Sequence, residues 1–381
     1  MKKILALCLV LMLLLPVFAS AEGVLKIGVF EPFTGQNGGG GFQEVLGMRY
    51  AHSLTPTIEL GGVVYTIELI EVDNQSDRTA AVSAAQKLMA DGVSVVLGSY
   101  GSAVSIAASD IFGDAGVAAV GASCTNPQVT LGNDHYFRVC FLDPFQGEVM
   151  ANYAFQEGAR KAAVITELGD DYSSGLGNFF LKAFVALGGE VVEEQFQTGQ
   201  TDFKAILTNI KAAEADAIFA PSSIATAPLI IKQARELGIT APIMAGDTWE
   251  NVAIIDNAGA DAEGVVLSTF FDEADPTAAE FVAGFKAFLN ANPEYLEKNG
   301  GDGVAAVSAL GFDAYNVAIA AIAAADSSDP GAIRDALVGI SHMGVTGKIE
   351  FDVNGDAIKD MAYVKIVEDG AFIFLKTVTT E

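Results

Sequence analysis

Short apolar runs alternate with longer amphipathic segments along most of the chain. The apolar runs are rich in β-branched residues, which is typical of strands buried on both faces. These strand candidates are LKIGVF, TIELIEV, VSVVLG, VAAVGA, KAAVIT, EVVEEQF, DAIFAP, PIMAG and GVVLST. The segments between them have helical spacing, as in TAAVSAAQKLMA, DPFQGEVMANYAFQ, SGLGNFFLKAFVAL, FKAILTNIKAA and TAPLIIKQAREL. The alternation predicts an α/β protein whose parallel sheets are covered by helices.

One pattern occurs in both halves of the chain. VSVVLGSYGSAVSIAASDIFGDAGVAAVGA and DAIFAPSSIATAPLIIKQARELGITAPIMAG each contain a strand, a hydroxyl-rich turn, a helix and a second strand. This repeat predicts two similar α/β lobes, each with polar residues at the carboxyl ends of its strands, where open sheets bind ligands. The tail from Gly347 alternates apolar and polar residues between turns, which predicts antiparallel strands.

The N-terminus has the pattern of a secretory signal peptide. Lys2 and Lys3 precede an apolar stretch at residues 4–18, and Ala19-Ser20-Ala21 forms a small-residue cleavage site. We expect residues 1–21 to be removed and the mature chain to begin at Glu22. Export to the periplasm follows from this interpretation.

Charge and composition exclude several classes of partner and cofactor. The formal net charge of −27 argues against nucleic acid and against an anionic membrane surface. The chain has three widely spaced histidines, so no metal site is expected. Cys124 and Cys140 are the cysteines left after export, and either a disulfide or two buried free thiols is compatible with the sequence.

A glycine-rich stretch, TGQNGGGGF at residues 34–42, follows the first strand candidate. It lacks the Gly-Lys-Ser/Thr of a phosphate loop, and Gln43 stands where a dinucleotide-binding pattern requires glycine. We therefore expect a mobile rim that adopts positive φ values and gates a cleft. No nucleophile elbow or obvious general base is present, so neither catalysis nor a cofactor is expected.

Polar and aromatic residues follow several strand candidates and together suit a zwitterion. A helix start with hydroxyl and N–H donors suits a carboxylate, whereas an acid and an aromatic ring suit an ammonium group. Taken singly, Ser102, Thr125 and Asp247 could equally be helix caps or turn residues. The candidate ligand-binding residues are Tyr100, Ser102, Ser123, Thr125, Tyr172, Asp247 and Trp249.

The ordered set of these motifs resembles the type I periplasmic solute-binding proteins of ABC transporters, in the leucine/isoleucine/valine-binding branch. The matching segments are LKIGVFEPFTG, VDNQSD, GSYGSAVSIAASDIF, GASCTNPQVT, YFRVCFLDPFQG, GDDYSSGLG, AGDTWEN and IEFDVNGD. They cover essentially the whole mature chain. The resemblance implies two Rossmann-like lobes with parallel sheets, joined by three crossovers that would fall near Asp143, Phe271 and Lys348. The N-terminal lobe would comprise residues 22–142 plus 272–347, and the C-terminal lobe residues 143–271 plus 348–381.

The resemblance also implies roles for the candidate residues. Ser102, Thr125 and the backbone at Ser123 correspond to binders of a ligand's α-carboxylate and amine. Tyr172 corresponds to a ligand-contacting tyrosine, and Asp247 to the acid that meets the ammonium group. Two positions depart from the family pattern: Gly40 stands where several relatives have an aromatic lid, with Phe42 as a possible substitute, and Ser223 replaces a second-lobe aromatic residue.

The expected function is that of a monomeric periplasmic substrate-binding subunit. It would bind an amino acid, branched-chain or similar, and deliver it to the permease subunits of an ABC importer in the inner membrane. The same fold could instead bind a short amide, a urea-like solute or an aromatic acid. A ligand-sensing module and an exported α/β enzyme are the alternatives from other classes.

Overall fold

The computed structural model describes residues 23–379. The predicted signal peptide and the expected mature start at Glu22 lie outside these residues. The described chain forms two large sheets flanked by helices, and a small two-stranded sheet. The predicted α/β class is confirmed.

The first part of the chain builds the first sheet. It has the strand order β2-β3-β1-β4-β5-β6, with all neighbours parallel except β2 and β3. Its elements are β1 (Gly23–Glu31), α1 (Gly38–Leu54), β2 (Thr57–Leu60), β3 (Val63–Asp73), α2 (Arg78–Asp91), β4 (Val95–Leu97), α3 (Ser102–Asp114), β5 (Ala119–Gly121) and β6 (Tyr136–Arg138). We call this sheet with its flanking helices the first lobe.

The middle of the chain builds most of the second sheet. Its elements are α4 (Asp143–Gln156), β7 (Lys161–Leu168), α5 (Asp171–Ala186), β8 (Glu190–Gln197), α6 (Lys204–Ala212), β9 (Ala217–Phe219), α7 (Ala227–Glu236), β10 (Ile243–Ala245), α8 (Val252–Ala258) and β11 (Val266–Thr269). These strands are parallel to one another. We call this sheet with its helices the second lobe.

The last part of the chain returns to the first lobe and then completes the second sheet. Its elements are α9 (Ala279–Asn290), α10 (Pro293–Asn299), α11 (Ala306–Ala325), α12 (Pro330–Val338), β12 (Ser341–Gly344), β13 (Gly347–Glu350), β14 (Met361–Glu368) and β15 (Ala371–Thr379). The second sheet then has the order β15-β14-β11-β10-β9-β7-β8. The β12–β13 and β14–β15 pairs are antiparallel, as the alternating pattern of the tail predicts.

Helix α11 is long and apolar enough to cross a membrane, yet most of it is buried in the first lobe. It packs closely on α1 because each helix has a glycine at the contact. A Cβ atom at Gly47 would overlap the carbonyl group of Ser308, and one at Gly311 would overlap that of Glu44. Helix α11 is therefore a helix of the protein core, and it fixes α1 beside the first sheet.

The third connection between the lobes lies later in the chain than the sequence suggests. The Arg138 amide donates to the Gly355 carbonyl (3.0 Å) and the Ala357 amide donates to the Arg138 carbonyl (3.1 Å), so residues 355–357 extend the first sheet. The buried Arg138 guanidinium donates to Asp356 Oδ1 at 2.6 Å. Residues 348–357 therefore lie with the first lobe rather than the second, and the change of sheet follows Ala357 instead of falling near Lys348.

Two buried cysteines follow neighbouring strands of the first sheet, Cys124 after β5 and Cys140 after β6. Cys124 and Cys140 are both free thiols in the structure. The Arg138 guanidinium donates to the backbone carbonyl of Cys124 at 2.6 Å, which ties this segment to the hinge. Of the two alternatives that the sequence leaves open, the structure has the unbridged one.

Candidate functional site

The carboxyl ends of strands from both sheets face each other across a cleft. The predicted residues on its first-lobe side follow β4 and β5, whereas those on its second-lobe side follow β7 and β10. This placement results from the parallel strands, since all their carboxyl ends meet at one edge of each sheet. All the predicted site residues are buried, namely Tyr100, Ser102, Ser123, Thr125, Tyr172, Asp247 and Trp249.

The cleft is closed by hydrogen bonds that run directly between its two sides. The Tyr100 phenol donates to the carbonyl group of Thr248 at 3.3 Å. Two amide side chains make similar bridges, from Asn126 Nδ2 to the Asp171 carbonyl (2.7 Å) and from Asn251 Nδ2 to Gln43 Oε1 (3.0 Å). A cavity of about 180 Å³ at the cleft mouth is lined by residues of both lobes, including Asn37, Tyr172, Ser223 and Thr248.

Asp247 is the centre of the polar network on the second-lobe side. Its Oδ1 accepts hydrogen bonds from Gln146 Nε2 (2.8 Å) and from the Tyr172 phenol (3.0 Å). Asp247 begins a short 3-10 helix, Asp247–Trp249, and the residue that caps this helix is Gly246. Burial raises the pKa of its carboxyl to about 6. The hydrogen bonds of its carboxyl thus join it to the side chains of α4 and α5, and its role in ligand binding stays a prediction.

The first-lobe side provides hydroxyl groups and a helix start. Ser102 is the first residue of α3, and its hydroxyl oxygen accepts from the backbone amide of Asn126 at 3.1 Å. This bond holds the β5 turn against the start of α3. The Thr125 hydroxyl lies next to the buried Asp143 carboxyl, whose pKa burial raises to about 8.

The structure adds two acids that the sequence analysis missed. Glu31 ends β1 and Glu44 lies in α1, and both are fully buried. Glu31 Oε2 accepts from the Tyr100 amide at 2.6 Å, and Glu44 Oε1 accepts from the Ser123 hydroxyl. Burial raises the pKa of Glu44 to about 7, and burial together with neighbouring Glu44 raises that of Glu31 well above its usual range. The position of Glu31 at a strand end was a signal that could have identified it.

Trp249 differs from the other predicted residues in what it contacts. Its side chain is fully buried, and its indole N–H donates to the carbonyl group of Ser222 at 3.1 Å. The ring belongs to the apolar cluster of the second lobe, which also includes Tyr100. The indole N–H is therefore already used, and a role for the ring face in ligand binding stays a prediction.

The glycine-rich stretch forms a helix start rather than a free loop. Helix α1 begins at Gly38, so its first turn is made of glycines, and within residues 34–42 only Gly35 has a positive φ (84°). The segment before it contacts the second lobe, since the Ala225 amide donates to the Gln36 carbonyl (3.2 Å) and the Ile224 amide to Asn37 Oδ1 (3.1 Å). The stretch thus lies at the cleft rim and contacts both lobes. The prediction of a mobile loop with positive φ values was wrong, because residues 38–42 are helical.

An aromatic ring from another segment lies against Gly40. A Cβ atom there would come within 2.5 Å of the Tyr100 ring, so glycine is required for this contact. Phe42 does not replace a lid, because its ring packs against Phe33 and Tyr295 within the first lobe. Ser223 lines the cleft mouth and donates its hydroxyl hydrogen to Thr226 Oγ1 at 2.9 Å.

Two α/β lobes that enclose a buried polar cleft define the class of two-lobed solute-binding proteins. The chain matches the family model described as periplasmic binding protein over residues 24–371, and it belongs to that family. The resemblance seen in the sequence and the type I fold are thereby confirmed.

Relatives with known names have similar lengths and folds. An amino acid binding protein of Pseudomonas aeruginosa is 31% identical over 93% of this chain and 92% of the relative. The structure of LivK, a leucine-binding protein of Thermotoga maritima, has a TM-score of 0.85 and 36% identity, covering 94% of this chain and 99% of that one. LivJ of Streptococcus pneumoniae, solved with isoleucine, has a TM-score of 0.82 and 28% identity, covering 94% and 99%.

Proposed function

We propose that this protein is the periplasmic substrate-binding subunit of an ABC importer for an α-amino acid, branched-chain or similar. LivK is a leucine-binding protein and LivJ was solved with isoleucine, and each of them matches this chain over most of its length. The observation that carries the proposal is the pairing of a buried acid, Asp247, with a hydroxyl-lined helix start on the opposite side of one cleft.

Each side of the cleft would bind one end of the ligand's backbone. The start of α3 has free N–H groups and the positive end of the helix dipole, which favour a carboxylate beside Ser102 and Thr125. The Asp247 carboxylate, oriented by Gln146 and Tyr172, would accept hydrogen bonds from the ammonium group. A free amino acid has both groups on one carbon atom, so the two sides would recognise it together.

Export, location and partners follow from the same proposal. Residues 1–21 would direct export and be removed, leaving a monomer in the periplasm. The two lobes, with their hinge at the crossovers near Asp143 and Phe271 and at residues 358–360, would close on the ligand. The closed form would then dock on the permease subunits in the inner membrane. Nucleic acid is no partner in this proposal because of the net charge of −27, and neither catalysis nor a cofactor has a part in it.

A ligand panel on the purified exported protein tests this proposal. Thermal shift against the amino acids, short amides and aromatic acids should identify an amino acid as the ligand. A ligand at ~100 times its Kd adds about 2.7 kcal/mol to the free energy of unfolding. The N-acetyl and carboxamide derivatives of that amino acid should bind far more weakly, because each lacks one of the two recognised charges. Binding of amides or aromatic acids, with no response to any amino acid, would contradict the proposal.

A further inference from the structure

A polar cavity lies between the lobes, beside the groups proposed to bind the ligand's backbone. It has a volume of about 180 Å³. Gly101 and Ala103, on either side of Ser102, line it from the first lobe, and Tyr172 lines it from the second. The Tyr172 phenol also donates to Asp247, the acid proposed for the ammonium group. A ligand bound by these groups would therefore have this cavity next to its Cα atom, where its side chain begins.

The wall of this cavity offers no apolar surface to an aliphatic side chain. Among residues 23–379, no leucine, isoleucine, valine, methionine or phenylalanine lines it. Much of the wall is made of hydroxyl residues, namely Ser76, Thr198, Ser222, Ser223 and Thr248. An aliphatic side chain placed here would remove water from these groups without offering them a hydrogen bond, which is unfavourable.

One hydroxyl group in the wall has no hydrogen-bond partner within the described chain. Ser222 is 1% exposed, and its Oγ neither donates to nor accepts from any residue between 23 and 379. Its backbone is held in place, since the Ser222 carbonyl accepts from the Thr248 hydroxyl and the Trp249 indole, each at 3.1 Å. The adjacent Ser223 hydroxyl already donates to Thr226 Oγ1. Buried hydroxyl groups without a partner are rare in folded proteins, so the Ser222 hydroxyl is available to a ligand.

The charged groups in the wall already have partners or are shifted toward a neutral form. Asp77 and Asp170 accept from backbone amides at the starts of α2 and α5. Arg78 forms an ion pair with Asp171 across the cleft. Burial raises the pKa of the Glu167 carboxyl, which favours its neutral form. The wall therefore favours a neutral ligand side chain over a charged one.

A short side chain with a hydroxyl or carboxamide group matches these properties. Such a group can both donate to and accept from the Ser222 hydroxyl, whereas the methyl groups of leucine or valine cannot. We propose that the cavity binds the ligand's side chain, that Ser222 is its hydrogen-bond partner, and that the substrate class is amino acids with a neutral polar side chain. This inference rests on the proposed function and specifies its ligand.

Matched ligand pairs test the inference on the unmodified protein. Threonine and valine have similar shapes and differ in one hydroxyl group, and asparagine and leucine differ in a carboxamide. Calorimetric titration should show the polar member of at least one pair binding about tenfold more tightly or better, because the apolar member leaves the buried hydroxyl unpaired. Apolar members that bind as tightly in both pairs, or tighter binding of aspartate or lysine than of all four, would overturn the inference but leave the proposed function intact. A protein that binds no amino acid would contradict both.

Variants then show whether the Ser222 hydroxyl is responsible. Ser222→Ala should lower the preference for the polar ligand about tenfold while retaining affinity for its apolar counterpart. Ser268→Ala is the matched control, because Ser268 on β11 is also buried, its hydroxyl also has no partner within residues 23–379, and it does not line the cavity. An unchanged preference in Ser222→Ala, or an equal loss in Ser268→Ala, would overturn the assignment. The ligand pairs decide the matter if Ser222→Ala does not fold.

Discussion

Replacing Asp247 by asparagine should stabilise the ligand-free protein at neutral pH while weakening ligand binding. The carboxyl is buried, and its pKa is raised from 3.8 to about 6. A carboxyl whose pKa is higher in the folded state contributes stability that is fully present below pH 3.8 and is lost as pH rises through about 6. The difference between a pKa of 3.8 in the unfolded chain and one of about 6 in the folded protein corresponds to a loss of about 3 kcal/mol of stability at alkaline pH.

This magnitude gives a pH-dependent signature. In the wild-type protein, ionisation of Asp247 has removed about half of this 3 kcal/mol of stability at pH 5 and nearly all of it at pH 8. The free energy of unfolding that Asp247→Asn gains over wild type should therefore grow by about 1.4 kcal/mol between these pH values. Asparagine retains an oxygen that can accept from Gln146 and Tyr172. Urea unfolding can be followed through the fluorescence of Trp249, the single tryptophan of the chain. Asp114→Asn, at an exposed position at the end of α3, is the control.

Two results would refute this reasoning. A stability difference between Asp247→Asn and wild type that does not change with pH would mean that the carboxylate is not destabilised by burial. In the same variant, calorimetry should show the ligand's affinity reduced by about a hundredfold, since one partner of a buried charge pair is lost. Wild-type affinity would mean that Asp247 does not bind the ammonium group.

Two further predictions concern the cleft rim and the cysteines. Gly40→Ala should lower the melting temperature and weaken ligand binding, because the added methyl group displaces the Tyr100 ring. Gly39→Ala is the control and should do neither, because its Cβ would make an ordinary 3.5 Å contact. Equal effects of the two variants in thermal shift and calorimetry would contradict this prediction. Alkylation under denaturing conditions without reductant should add two labels, at Cys124 and Cys140, by intact mass, because both are free thiols; an unlabelled protein would show that they form a disulfide.

The regular elements were predictable because their signals are local. Every strand candidate of the sequence corresponds to an observed strand between β1 and β11, since a short run of apolar or alternating residues is enough to indicate a strand. The short strands β2 and β6 gave no comparable signal. The residues after strands β4, β5, β7 and β10 were also predictable, because parallel topology brings those ends to one edge.

Features that depend on contacts distant in sequence were not predictable. Glu44 stands within an apolar helical pattern, and nothing local indicates that it meets Glu31 and Ser123. The third crossover was misplaced for the same reason, since it depends on the contact of Arg138 with Asp356, far along the chain. The glycines at residues 38–41 were predicted to form a mobile loop, but they form the first turn of α1. Packing against Tyr100 requires a small residue at Gly40, and this contact is not visible in the sequence.

The attachment of the third connection to the first sheet affects how the protein could move. Since Ala357 is still paired with Arg138 and β14 begins at Met361, only residues 358–360 remain to change direction there. A connection of three residues leaves little chain to absorb a twist of one lobe against the other. In the closing motion that we propose, the two lobes would therefore come together in the same relative orientation each time a ligand binds. A donor and an acceptor dye on the outer faces of the two lobes would report ligand binding as one reproducible change in distance.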